Sequence, residues 1–241
     1  MQRALQPKNI ILHLVDQLKL NREVCVIALV GSATQNSWDR WSDIDIFVVT
    51  DKRHSDSRMQ VCINDRKVDV IFNAQKEIGE YLSKEKNSIR RNTAHLIANS
   101  KVLWQRKPIW SKLKKYAQEV LRSETTTDRR SMIMNLYSID DYLAKAGRHC
   151  ELKDDIAFGL ASRNVIENSI EIFLKKYRTF WPPLSKVDAL FKSSDPKFHR
   201  FLKFYYEKNT LVERYRALIK LADYASRLGG GPLLPNWSLH S

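Results

Sequence analysis

The sequence predicts an α+β protein: a mixed sheet with helices in the N-terminal half, then an all-α helical bundle. Two apolar, β-branched runs before residue 50 and two shorter β-rich runs before residue 73 predict the sheet. Beyond residue 125 strand signals vanish and three amphipathic helical stripes replace them.

The elements follow in order. Residues 8–20 place Ile11, Leu14, Val15 and Leu18 at helical spacing, with Pro7 near the start, where proline is tolerated. Glu23 to Val30 is an apolar run ending at Gly31, the pattern of a strand buried on both faces. Ile44–Val49 reads as a second buried strand. Met59–Ile63 and Lys67–Phe72, joined by Asn64-Asp65-Arg66, read as a hairpin. Residues 76–98 suit one helix, Lys101–Gln105 a further strand, and 109–122 a helix that closes the first domain. Ser123 to Thr127 is polar and unpatterned, as a linker would be. The helical stripes are Met132, Leu136, Ile139 and Leu143; Ile166, Ile170, Phe173 and Leu174; and Leu211, Tyr215, Leu218, Ala222 and Ala225. Trp181-Pro182-Pro183 separates the second stripe from the third, and Gly229-Gly230-Gly231-Pro232 ends the last. The expected domains are 1–124, 125–228 and a tail, 229–241, that local composition would leave disordered.

Composition narrows the function classes. No apolar run approaches the ~20 residues a membrane helix needs, and the N-terminus lacks the pattern of a signal peptide. A cytoplasmic protein that does not engage membranes is expected. Cys25, Cys62 and Cys150 are odd in number and far apart, so neither a disulfide framework nor a zinc site follows. Cys25 and Cys62 fall in β-like runs and are expected as buried, reduced thiols. The net charge is +14, with 22 Lys/Arg against 14 Asp/Glu in residues 1–124 and 19 against 13 in the remainder. Base spread so evenly attracts anions, whether nucleic acid or a triphosphate, without choosing between them.

The chemistry lies in the carboxylates. Asp43 and Asp45 stand two apart at the start of the second strand, so both project from one face. Carboxylates that close repel unless a cation lies between them, and hard oxygen ligands suit Mg²⁺. Asp69 interrupts the apolar run Lys67–Phe72, where an acid is costly to bury unless it is paired or binds metal. A strand beside Ile44–Val49 would bring Asp69 to the pair. Three acids about one or two metal ions is the arrangement that phosphoryl and nucleotidyl transfer needs. Gly31-Ser32 directly follows a buried strand, and a turn there offers N–H groups and a hydroxyl to phosphate oxygens.

With GSATQNSWDRWSDIDIFVV followed by KVDVIF, the chain resembles the nucleotidyltransferase superfamily typified by DNA polymerase β. More narrowly, it is similar to the small antibiotic nucleotidyltransferases of the aminoglycoside and lincosamide type. Their signature is Gly-Ser, about ten residues, Asp-x-Asp on the next strand and a third acid on a later strand. The resemblance implies a nucleotidyltransferase-fold sheet and places Gly31 and Ser32 at the triphosphate. It also implies Asp43 and Asp45 as Mg²⁺ ligands and Asp69 as the third acid, metal ligand or general base. Many relatives carry a second glycine where this chain has Asn36, and Trp38 and Trp41 are bulky for a phosphate loop. KKYRTFWPPLSKVDAL looks like part of the helical domain that covers the acceptor in those enzymes. By the same analogy a base from this segment, Lys186 or Arg178, reaches the nucleotide. Glu167 and Glu171 share a helical face and are candidates to meet an acceptor amine or act as base. Arg90 and His95 fall in the first domain by this division and are set aside.

The expected function is Mg²⁺-dependent transfer of an NMP, with ATP the expected donor among NTPs, onto a hydroxyl of a small-molecule acceptor. Aminoglycosides are polycations and want acidic pockets, so a basic protein leaves a less cationic acceptor equally open. The alternatives are nucleotidylation of a protein or RNA end and a non-catalytic nucleotide-binding member.

Overall fold

A computed structural model describes residues 7–34, 42–52, 57–63, 66–234 and 236–238. Asn36, Trp38 and Trp41, weighed above for the phosphate loop, lie outside them. Packing divides the chain into two units: 1–87 with 91–123, and 88–90 with 124–241.

The first unit is built on a five-stranded sheet of order β3-β4-β2-β1-β5, with β1 Val24–Val30, β2 Ile44–Thr50, β3 Arg58–Ile63, β4 Arg66–Ala74 and β5 Lys101–Gln105. β2 and β4 pair in parallel and the other neighbours are antiparallel. β1 is buried along its whole length, as its unbroken apolar run predicts. Period-two alternation sorts the two faces. Ile44, Ile46, Val48, Val68, Val70 and Phe72 face a layer in which α1 (Pro7–Leu18) sets Ile11, Leu14, Val15 and Leu18. Phe47 and Val49 face the opposite layer, with Ile78, Leu82, Ala94, Ile97, Trp110 and Ala117 from α2 (Gln75–Glu85), α3 (Asn92–Ala98) and α4 (Trp110–Arg122).

The single helix expected over 76–98 is two, α2 and α3. Glu85 ends the first and accepts from the backbone N–H groups of Thr93 and Ala94, 2.8 Å each, at the start of the second. The break is fastened by Arg91, whose buried guanidinium donates to the carbonyls of Lys86, Val120 and Ser123. Helical periodicity carries no sign of that arginine's carbonyl partners, because two of them are about thirty residues away in sequence. Cys25 is buried as expected, but Cys62 is exposed on the alternating edge strand β3. An edge strand covered on one face sends every second side chain to solvent.

The second unit has five helices among the described residues: α5 Arg129–Glu151, α6 Asp155–Lys176, α7 Leu184–Ser194, α8 Pro196–Tyr206 and α9 Leu211–Leu228. Side-chain oxygens cap four of them: Asp128 for α5, Asp154 for α6, Asp195 for α8 and Thr210 for α9. Each such cap satisfies N–H groups the helix itself leaves unpaired. α7 and α8 lie between the expected stripes, and Phe191, Phe198, Leu202 and Tyr205 bring them into one core with α5, α6 and α9. Gly147 on α5 lets α9 come close, since a Cβ there would lie 2.5 Å from the Tyr215 hydroxyl. Lys175 is buried and donates to the Ser131 hydroxyl at 2.5 Å and to Asn135, locking α5 to α6. Within the expected tail, Leu233 lies against the helical core and the exposed Trp237 meets Tyr137 with ring centroids 5.5 Å apart.

Candidate active site

The site is assembled where β1 ends and β2 begins. Gly31 leaves β1 with φ +70°, a conformation that costs a residue with a Cβ about 1–2 kcal/mol. Gly31–Thr34 then makes one 3-10 turn, closed by the Thr34 hydroxyl donating to the Gly31 carbonyl at 2.8 Å. Ser32, in this turn, is exposed. The antiparallel register sets Val30 opposite Asp45, so the turn begins beside that carboxylate. A Cβ on Gly31 would stand 2.3 Å from Asp45 Oδ2. Only glycine permits this approach.

The parallel pairing of β2 with β4 sets Asp45 directly against Asp69. Asp45 and Asp69 share the sheet face of Phe47 and Val49 by strand alternation and cross-strand register. Asp43 is exposed just before β2, Asp45 is half-buried, and Asp69 is buried. Burial, then the charges of Asp69 and Asp43, push the Asp45 carboxyl up from its ordinary value; Arg58 works against them. Asp69 is held low because Arg58 Nη2 donates to its Oδ2 and Gln60 Nε2 donates to its Oδ1 at 2.7 Å.

Among the described residues no group of three or more histidine, cysteine, aspartate or glutamate side chains converges tightly enough to hold a metal ion. Asp45 and Asp69 nevertheless suit a divalent cation. Two hard carboxylates stand side by side, a third acid stands two residues away, and Asp45 carries an electrostatic penalty that a cation relieves. Arg58 supplies positive charge to Asp69 in this arrangement.

Sequence reasoning misses Arg58 and Gln60, although a signal exists. Two residues separate Ile63 from Arg66, and the resulting antiparallel register sets Gln60 opposite Asp69 with Arg58 on the diagonal. The remaining candidates lie in the helical unit. Lys186 is exposed in the first turn of α7. Arg178 adopts φ +49° just beyond α6 and pairs with Glu124 at 3.2 Å. Glu167 pairs with Arg163 at 3.0 Å, whereas Glu171 is tied to Arg90 at 3.3 Å and accepts from Asn135 Nδ2 at 3.1 Å. Arg90 groups with the helical unit, its guanidinium over Trp181, whereas His95 belongs to α3 of the first unit. His199 pairs with Asp188 at 2.7 Å, an ordinary surface contact.

Comparison with known proteins agrees with the fold. The sequence profile of the nucleotidyltransferase domain family matches residues 11–118. A nucleotidyltransferase-like protein from Exiguobacterium sibiricum 255-15, solved at 1.90 Å, superposes with a TM-score of 0.54 at 12% identity. The match covers 93% of this chain and 77% of that one. No curated protein matches the sequence.

Proposed function

We propose that the chain, a transferase built on a nucleotidyltransferase domain, moves an NMP from an NTP onto a hydroxyl of a small-molecule acceptor. The observation that carries the reading is the Gly31 approach to Asp45 with Asp69 in register beside it. The Gly31–Thr34 turn would offer backbone N–H groups and the Ser32 hydroxyl to the triphosphate, and the missing Cβ at Gly31 lets the Asp45 carboxylate lie against that turn. Asp43 and Asp45, with Asp69, would hold Mg²⁺, which screens phosphate charge and lowers the pKa of an attacking hydroxyl. Asp45 then stays ionised despite its burial. Arg58 and Gln60 fix the orientation of Asp69, and their hydrogen bonds hold its carboxyl below its ordinary value. Lys186 is assigned to the nucleotide on the strength of the resemblance, and ATP is the proposed donor.

The test is incubation of the full chain with Mg²⁺, each labelled NTP and a panel of hydroxyl-bearing acceptors of differing charge, with RNA and protein included. Pyrophosphate release with label on a small molecule is the expected result. Label on a macromolecule would replace the acceptor assignment, and silence across all NTPs and acceptors would reject the transfer reading.

A further inference from the structure

The helical unit holds a cleft of ≈430 Å³, lined by Glu167 and by residues to which the nucleotide assignment gives no role. Its wall is aromatic: Trp181 in the segment between α6 and α7, and Tyr205 with Tyr206 at the end of α8, their rings edge to face at 5.3 Å. Ile166 and Ile170 of α6 add an apolar surface. Gly159 lies in the same helix, and a Cβ built there meets nothing within 4 Å. An interior helical glycine costs about 1 kcal/mol relative to alanine. Nothing in the packing needs that residue small, and its effect is to leave room at the cleft.

The charges are unequal. Arg163 and Glu167 pair at 3.0 Å and neutralise one another. Arg214 is half-buried, lies over Phe158 and Tyr205 with centroid distances of 5.3 and 5.0 Å, and gives one hydrogen bond, to the Tyr205 hydroxyl at 2.8 Å. It pairs with no carboxylate among the described residues. The rings hold the guanidinium plane in place, leaving the rest of its five donors for another group. The Trp181 indole N–H is also buried without an acceptor among the described residues, and a donor in that state costs about 1–3 kcal/mol.

We propose that this cleft binds a planar organic carboxylate, its ring among Trp181, Tyr205 and Tyr206 and its carboxylate on Arg214. Aromatic walls select a flat apolar body, and a preoriented guanidinium selects a two-oxygen anion. The cleft residues the inference uses lie in the helical unit, and none is among Gly31, Ser32, Asp43, Asp45, Asp69 and Lys186, so this proposal and the transfer reading can fail separately.

Calorimetric titration of the full chain with naphthoate tests it, against naphthylmethylammonium as the matched cation. Saturable one-to-one binding of the anion is expected, at least about tenfold tighter than that of the cation. Gly159→Phe fills open space on a helix and should fold as the parent does, checked by circular dichroism, yet weaken naphthoate by about tenfold or more. Arg214→Gln should do the same, and Asp45→Asn should leave naphthoate binding unchanged. Undiminished binding in Gly159→Phe, a cation bound as tightly as the anion, or no naphthoate binding at millimolar concentration overturns the proposal.

Discussion

Asp45 and Gly31 share one space: a Cβ on the glycine would lie 2.3 Å from Oδ2 of the aspartate and 3.2 Å from its Cγ. Gly31→Ala therefore meets two penalties, a positive φ and a carboxylate that has to move. Together they should cost on the order of 1–3 kcal/mol in urea unfolding. Nucleotidyl transfer should fall with them, because the displaced group is the proposed metal ligand. A variant as stable and active as the parent would contradict the geometry.

Asp45→Asn separates function from stability. The native carboxylate is penalised by burial and by Asp69 and Asp43, and the amide removes that penalty. Thermal unfolding should shift upward by a few degrees, the size about 1 kcal/mol produces, while transfer falls by about 100-fold or more. A lower Tm would mean that the carboxylate stabilises the fold.

Opposite shifts at the two registered acids give opposite pH dependences. The Asp45 pKa is raised above 3.8, so its contribution to stability is full below that value and is lost as pH rises through the folded pKa. The Asp69 pKa is lowered, so its contribution is present above 3.8 and is lost as pH falls through the folded pKa. Arg58→Gln removes the main cause of the second shift. Its urea midpoint should lie below that of the parent at neutral pH, and the two should converge in acid. Parallel curves at all pH values would reject the Arg58–Asp69 coupling.

Lys175→Ala should destabilise the helical unit by about 2–4 kcal/mol, since it opens space in a packed interior and leaves Asn135 and Ser131 without their donor. Loss of well under 1 kcal/mol in denaturant unfolding would show the network to be slack.

Lys186→Ala tests the nucleotide assignment directly. The side chain is exposed, so unfolding should be unchanged while KM for the NTP rises several-fold. An unchanged KM would remove Lys186 from the site.

Much of the fold is legible in the sequence, for reasons local to the chain. Apolar continuity marks β1 and β2, and the Asp-x-Asp spacing brings two acids to the start of β2. Asp69 stands out as a charge in an apolar run, where burial demands a partner. The same local logic fails at residues 86–91, where Arg91 breaks a helix by binding carbonyls of Val120 and Ser123. α8 is different: Phe198, Phe201, Leu202 and Tyr205 recur at helical spacing, a stripe the expected organisation passes over.

The sequence by itself determined which residues carry charge and which strands are buried, because side-chain period and hydrophobicity act over a few residues. The tertiary structure decided that β4 lies parallel to β2 with Asp69 level with Asp45, that Arg58 and Gln60 hold Asp69, and that Gly31 reaches Asp45. Those facts depend on register and close approach between segments up to 38 residues apart, from Gly31 to Asp69, which only the assembled sheet brings together.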